Sequence, residues 1–324
     1  RQTSESVAYD LKDIGYTAHA IHNNEATFYD RNRVFSQLGF DSFTPIEYMN
    51  DIERNPTGWC KDKILTGEII KTLDSTQGPD YIYTISVQGH GKYPSFEYYC
   101  QQISEMDEFV RSLVDALKVR KEPTVLVLYG DHLPGFEWSE EEMKNQSLFQ
   151  TEYVVWNNMD LPQVKQDVEA YQLAAHVLDM LNIHEGTMMR FHQKYLNDPG
   201  GKEESYLEDM KTLQYDILYG SHEVYGRKNP YLPTDLQMGI DKITMDRVVY
   251  NDSDISVYGT NFTTYSKICL DGKTVETTFV SPELIIAKGI SESKAEDAKI
   301  SVWQIGKDKV PLSEAGTFRF HEKD

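Results

Sequence analysis

Two short apolar runs separated by one amphipathic stretch constrain the fold of this chain more than any other feature. The runs are Asp80 to Val87 (DYIYTISV) and Thr124 to Tyr129 (TVLVLY). Both are β-branched or aromatic at nearly every position, as expected of strands buried on both faces. Between them Tyr99, Ile103, Met106, Val110, Leu113 and Leu117 recur at alternating steps of four and three, with acidic residues opposite, which is a helical period. Strand, helix and strand in that order predict a right-handed crossover that leaves the two strands parallel. The alternation extends from Val7 to about Leu196 and predicts an α/β domain with a largely parallel sheet flanked by helices. Val7, Leu11 and Ile14 share a helical face that Gly15 closes. Thr17 to Ile21 and Glu152 to Trp156 read as further strands, and Val168 to Leu181 as a further helix.

The texture changes near Pro199, where PGGKEE has a linker composition and Tyr206 to Tyr219 reads as a short helix. After Pro233 the pattern is all-β. Ile255 to Tyr258, Ser266 to Leu270, Thr274 to Phe279, Leu284 to Ala287 and Lys299 to Ile305 are predicted strands, and Asp271-Gly272 is a primed-turn hairpin signal. The expected organisation is an α/β domain over 1–198, a linker with a short helix over 199–233, and a small immunoglobulin-like β-sandwich over 234–324.

Composition narrows the function classes. Among 324 residues, 32 Lys and Arg stand against 52 Asp and Glu, a formal charge of −20, which argues against binding to bare nucleic acid or to an anionic membrane through bulk charge. No apolar run reaches the roughly 18 residues that a bilayer span needs. Cys60, Cys100 and Cys269 lie far apart and form no CxxC pair, which argues against a structural zinc site. The opening RQTSESVA has neither an initiator Met nor an apolar segment, so a fragment is expected.

Parallel strands present their C-terminal ends at one edge, where open α/β folds bind ligands. The first run leads into Gln88-Gly89-His90-Gly91 and the second into Gly130-Asp131-His132, so His90, Asp131 and His132 are expected near one another. An Asp-His pair at a strand end suits zinc, manganese or iron better than calcium. Taken alone, the plainer reading is favoured: Asp131 caps a following helix and His132 bonds a carbonyl. A second cluster, His22, Tyr29 and Arg31 in HNNEATFYDRN, could grip an oxyanion through the guanidinium fork and an imidazole donor. His19, His176, His184 and His192 read as structural or surface residues.

Taken together, GYTAHAIHNNEATFYDRNRVFSQLGFDSF, TISVQGHGKYP and VLVLYGDHLPG resemble the lipoteichoic acid synthase family of phosphoglycerol transferases, within the alkaline phosphatase and sulfatase superfamily, over residues 5 to 195. The resemblance implies that His22, Tyr29, Arg31 and His90 line a phosphoglycerol pocket and that Asp131 and His132 bind a metal. Manganese comes first, with zinc and magnesium as alternatives. Such enzymes usually carry Trp at the position of Tyr29. They also carry, upstream of anything present here, a metal-binding glutamate and a threonine nucleophile, and Thr3 lacks the context to be that threonine. The Pro94 to Phe96 connection looks shorter than the family's. Val257-Tyr258-Gly259-Thr260-Asn261-Phe262 and LDGKTVETTFVS resemble immunoglobulin-like IPT/TIG modules, for which a spacer or packing role is expected. Asn261-Phe262-Thr263 matches a glycosylation triplet of the kind that arises often by chance.

The implied function is transfer of phosphoglycerol from a phosphatidylglycerol-like headgroup to a polymer or glycolipid acceptor, through a covalent threonine intermediate. The implied location is the extracellular face of a bacterial membrane, in a membrane-anchored parent. The alternatives are a sulfatase or related ester hydrolase, and a non-catalytic cell-wall or glycan-binding protein.

Overall fold

The computed structural model describes residues 2–91, 93–197 and 203–320. Helix α1 (Val7–Lys12) starts at Ser6, whose hydroxyl accepts the Tyr9 amide, and strand β1 (Thr17–His22) follows the positive-φ turn at Gly15. Next come α2 (Arg31–Gln37), β2 (Ser42–Pro45), α3 (Ile64–Asp74), β3 (Asp80–Ile85), α4 (Phe96–Arg120), β4 (Val125–Tyr129) and β5 (Tyr153–Asn157). Helices α5 (Leu173–Met180), α6 (Thr187–Asn197) and α7 (Glu203–Leu218) lead to the two-residue strand β6 (Gln237–Met238).

Strands β3, β1, β2 and β6 form, in that order, a parallel sheet. Side chains of β1 alternate between its two faces. Ala18 and Ala20 pack with Phe35, Phe40 and Phe43 on one face, while Ile21 packs with Leu65, Ile69, Phe109, Leu113 and Leu117 from α3 and α4 on the other. Helices therefore flank a parallel sheet, as expected.

The crossover prediction needs correction. Strand β4 forms no backbone ladder with β3. It pairs antiparallel with β5, Val125 opposite Asn157, in a separate two-stranded sheet. Nor are these strands fully buried: every residue of β3 and most of β4 is half-buried. The long helix α4 joins β3 to β4 as predicted, and Leu126 and Trp156 rest on the core that contains its apolar face. Among the described residues, the edge of β3 away from β1 has no backbone partner.

PGGKEE lies largely outside the described residues. The rest of the stretch expected as linker folds back on the α/β unit: Thr3 Oγ1 donates to Tyr231 O (2.7 Å) and Tyr9 Oη to Leu232 O (2.6 Å). Strand β6, beyond Pro233, still belongs to the first sheet, with Gln237 opposite Ser42.

The remaining strands are β7 (Thr244–Asn251), β8 (Asp254–Thr260), β9 (Ser266–Leu270), β10 (Lys273–Thr274), β11 (Thr278–Ser281), β12 (Leu284–Ala287), β13 (Ile300–Ile305) and β14 (Pro311–Phe318), with helix α8 (Glu292–Asp297) before β13. They make two antiparallel sheets, β10-β9-β13-β14 and β11-β12-β8-β7, around Val257, Phe262, Ile268, Ile285 and Ile300. Asp271 (φ 51°) and Gly272 (φ 75°) form the predicted primed turn. The strand expected over Thr274 to Phe279 is two strands in different sheets. Val275 to Thr277 carries the chain across, held by the Val275 amide on Ile268 O and by Thr277 Oγ1 accepting the Ile268 amide.

Candidate functional site

His22 ends β1, and its Nδ1 donates to Ile85 O on β3 at 2.8 Å, since a carbonyl can only accept. The ring is buried. Burial, followed by the nearby Arg31 charge, pushes its pKa down to about 4 against the opposing effect of the Ile85 bond. His22 is therefore neutral, with a bare Nε2. The sequence reading gave this imidazole a donor's role, but the bound proton makes the outward nitrogen an acceptor.

Tyr29 and Asp30 adopt left-handed backbone conformations (φ 55° and 57°), a costly turn for residues with a Cβ. It presents Tyr29 to solvent, 77% exposed, and starts α2 at Arg31. The half-buried guanidinium lies 5.3 Å from the Phe28 ring centroid and 5.4 Å from that of Tyr29. Burial lowers the Arg31 pKa, opposed by Tyr83 and Tyr29, and the group stays charged. Its Nη1 is buried without a hydrogen-bond partner among the described residues, the condition of a cation able to take an anionic oxygen.

Beyond β3, a buried polar lattice shapes the loop that carries His90. Asp62 Oδ1 accepts Asn23 Nδ2 (2.8 Å) and the amides of Val87 (3.1 Å) and Gln88 (3.2 Å), while the Asp62 amide donates to Gln88 Oε1 (2.7 Å). Burial raises the Asp62 pKa, and these bonds oppose the rise. Gly89 lies against α4: a Cβ there would come 2.8 Å from Met106 Sδ, which a shift of the flexible Met106 side chain would relieve. Trp59 Nε1 donates to Gly91 O (3.2 Å), and its ring meets the exposed His90 edge-on at 5.1 Å.

The loop after β4 brings His132 to the same place. The rings of His90 and His132 are 6.2 Å apart and nearly perpendicular. His132 Nδ1 donates to Leu133 O (2.7 Å), so Nε2 is the free nitrogen, 3.8 Å from Asp131 Oδ1. The carbonyl bond of the plainer reading thus exists and orients the ring as outer partners orient metal-binding histidines. No helix follows for Asp131 to cap, and its side chain is 83% exposed. Gly130 has no positive φ, so the turn does not depend on a left-handed glycine. A carboxylate oxygen and an imidazole nitrogen suit a divalent ion in donor type, but no third His, Cys, Asp or Glu joins them among the described residues. The pair amounts to half a site.

Phenols lie between the two groups: Tyr129, at the end of β4, is close enough to Tyr83 of β3 and to Asp131 to feel both, and Tyr83 in turn lies near Arg31. Of the other histidines, His19 is buried between Ser42 Oγ (2.7 Å) and Asp80 Oδ1 (3.2 Å), and His192 bonds Tyr206 Oη (2.7 Å). His176 is buried in α5. The sequence reading missed Trp59, Asp62 and Tyr83. Asp62 and Trp59 sit in an irregular segment with no local motif, and Tyr83 was hidden within a strand pattern.

The Sulfatase family model matches residues 1–183. A Rhizobium meliloti protein named for cyclic beta-1,2-glucan modification is 28% identical over 278 residues, covering 68% of this chain and 43% of its own length. Lipoteichoic acid synthase 2 of Bacillus subtilis is 25% identical over 189 residues, covering 52% of this chain and 29% of that protein. The chain thus spans less than half the length of either relative. Among solved structures, a protein in the alkaline phosphatase superfamily from Vibrio parahaemolyticus aligns with 96% of this chain and 63% of its own (13% identity, TM-score 0.47). The lipoteichoic acid synthase LtaP from Listeria monocytogenes aligns with 57% of this chain and 55% of its own (17% identity, TM-score 0.45). With its family pattern extending over more than half of its residues, the chain belongs to the Sulfatase family.

Proposed function

We propose that the protein transfers phosphoglycerol from a phosphatidylglycerol-like headgroup to a polymer or glycolipid acceptor at the extracellular face of a bacterial membrane. The observation that carries this reading is the meeting of His90 and His132, 6.2 Å apart, beside the Asp131 carboxylate, with Arg31 holding an unused buried donor on the neighbouring loop. The lipoteichoic acid synthase relative supports the choice of phosphoglycerol.

Phosphoryl transfer requires positive charge against the equatorial oxygens and an in-line arrangement of nucleophile and leaving group. Arg31 supplies a fixed cation, stacked and partly desolvated, for those oxygens. His22, neutral with Nε2 bare, accepts a hydrogen bond from a glycerol hydroxyl. His90, exposed at the site's edge, donates to a phosphate oxygen or returns a proton to the leaving diacylglycerol alkoxide. Asp131 and His132 would hold a divalent ion, manganese by the resemblance and zinc or magnesium otherwise, which when bound adds charge to the phosphoryl oxygens. The nucleophile, a threonine by the same resemblance, and the remaining metal ligands are assigned outside this sequence. The β-module is assigned an immunoglobulin-like packing role.

The test is to incubate the whole protein and manganese with phosphatidylglycerol and, separately, with an aryl sulfate. Diacylglycerol appearing together with an acceptor-linked or free glycerol phosphate, and abolished by Asp131→Ala, supports the proposal. Sulfate release alone would move the protein to the hydrolases. Neither activity, with metal content unchanged by Asp131→Ala, would point to a binding protein.

A further inference from the structure

Beside the His90 and His132 rings lies an aromatic cluster that belongs to none of the buried cores. Phe136 sits 5.1 Å from Tyr93, 5.6 Å from Tyr99, 5.8 Å from Phe96 and 5.0 Å from Trp138 between ring centroids. Tyr93 and Tyr99 are 5.0 Å apart, and Phe96 and Trp138 6.3 Å. Three segments contribute: the loop after His90, the first turn of α4 and the loop after His132. Phe96 is 54% exposed, and the other four are half-buried. Five rings gathered at a surface, outside the buried cores, have the character of an interaction patch.

The surrounding charge selects the occupant. Residues 93–102 and 131–142 contain no Lys or Arg and carry Glu97, Glu137, Glu140, Glu141 and Glu142, which outnumber the flanking Lys92 and Lys144. An anionic headgroup or polyphosphate is repelled there. A neutral sugar is not: its C–H face packs on the negative face of an aromatic ring, and its hydroxyls donate to carboxylates at the rim. Tyr93 Oη donates to Gly89 O (2.6 Å), which couples the cluster to the backbone that carries His90.

We propose that Tyr93, Phe96, Tyr99, Phe136 and Trp138 form a stacking platform for a neutral sugar ring of the acceptor, an assignment that rests on the transfer reading above for the word acceptor alone. The experiment is saturation-transfer NMR and calorimetry of the whole protein with a short neutral gluco-oligosaccharide, and sedimentation with neutral phosphatidylcholine vesicles, on the parent, Phe96→Ala, Trp138→Ala and Trp138→Phe. The expected result is oligosaccharide binding weakened about tenfold in each alanine variant, largely restored in Trp138→Phe, with unchanged melting curves and no vesicle binding. Absent sugar binding, binding indifferent to both alanine variants, or co-sedimentation with vesicles instead would overturn the platform. Donor cleavage from phosphatidylglycerol is measured alongside. Its persistence without sugar binding sinks this inference alone, whereas sugar binding without cleavage sinks the transfer reading and leaves the platform standing.

Discussion

A proton on one imidazole nitrogen decides what His22 can do. With Nδ1–H committed to Ile85 O and a pKa near 4, the ring titrates below the working range of most enzymes, so the pH profile of donor cleavage between about 5 and 8 should not change shape in His22→Asn, although its height should fall. Arg31 invites a sharper test. Its fork is stacked against two rings and retains a buried donor, so Arg31→Lys, which keeps the charge and loses the planar geometry, is expected to lower kcat/KM by about 10²-fold. Asp10 governs stability instead. It is 1% exposed, with neither carboxylate oxygen bonded among the described residues. Burial first, then Glu5, Asp13 and Glu185, raises its pKa from 3.8 to about 8. A raised folded-state pKa means that the favourable protonated form contributes fully below about pH 4 and is lost as pH rises through about 8. Thermal melts should show Tm falling between pH 5 and pH 9, and Asp10→Asn should flatten that fall. His22 and Arg31 were legible as candidates in the sequence, but the Asp10 shift was not, because it comes first from burial and then from charges that include the remote Glu185.

Elements explain why the pocket loop stands where it does. Glu47, after β2, is fully buried, and both its carboxylate oxygens face the Ala26 amide (3.2 and 3.1 Å), inside the loop that leads from His22 to Arg31. Its own carbonyl accepts Thr263 Oγ1 (2.7 Å) and Gln304 Nε2 from the β-module, and Tyr48 Oη meets Ser313 Oγ at 2.6 Å. The module thus braces the residue that braces the loop. Burial raises the Glu47 pKa to about 7, against the Ala26 bond. Glu47→Ala orphans a buried amide and is expected to cost about 1–3 kcal/mol in urea unfolding and to raise KM for the phosphoglycerol donor, while Glu47→Gln, which keeps an acceptor, should recover most of both. Motifs and periodicity made β1, α4, the Asp271-Gly272 hairpin and the approach of His90 to His132 readable in advance. The brace was not, because Glu47 and Gln304 are linked only through tertiary contact. The division of the predicted Thr274 to Phe279 strand escaped for a related reason: composition favours extended backbone throughout, and only the packing of two sheets determines where the chain crosses.

At the scale of the molecule, composition and burial disagree in an informative way. The β3 and β4 sequences are those of interior strands, yet both are half-buried, and β3 has one edge without a ladder among the described residues. That mismatch is why the sequence did not show that β4 ladders with β5 and not with the β3 sheet: apolar composition reports that a strand must be covered but does not name the neighbour. An open apolar edge is a template for association, normally opposed by charge. Here the opposition is global, −20 over 324 residues, and it acts through a field that salt screens, with a Debye length falling from about 30 Å at 0.01 M to about 3 Å at 1 M. The chain in this form should therefore remain monomeric in dilute buffer and associate as salt rises, a trend opposite to dissociation of salt-bridged assemblies. Light scattering across that range measures the trend, and hydrogen exchange locates it. Amides of β3 and β4 should exchange faster than those of β1 at low salt and gain protection when the chain associates. If scattering falls as salt rises, or protection appears only in the β-module, the unpaired edge is not what drives association.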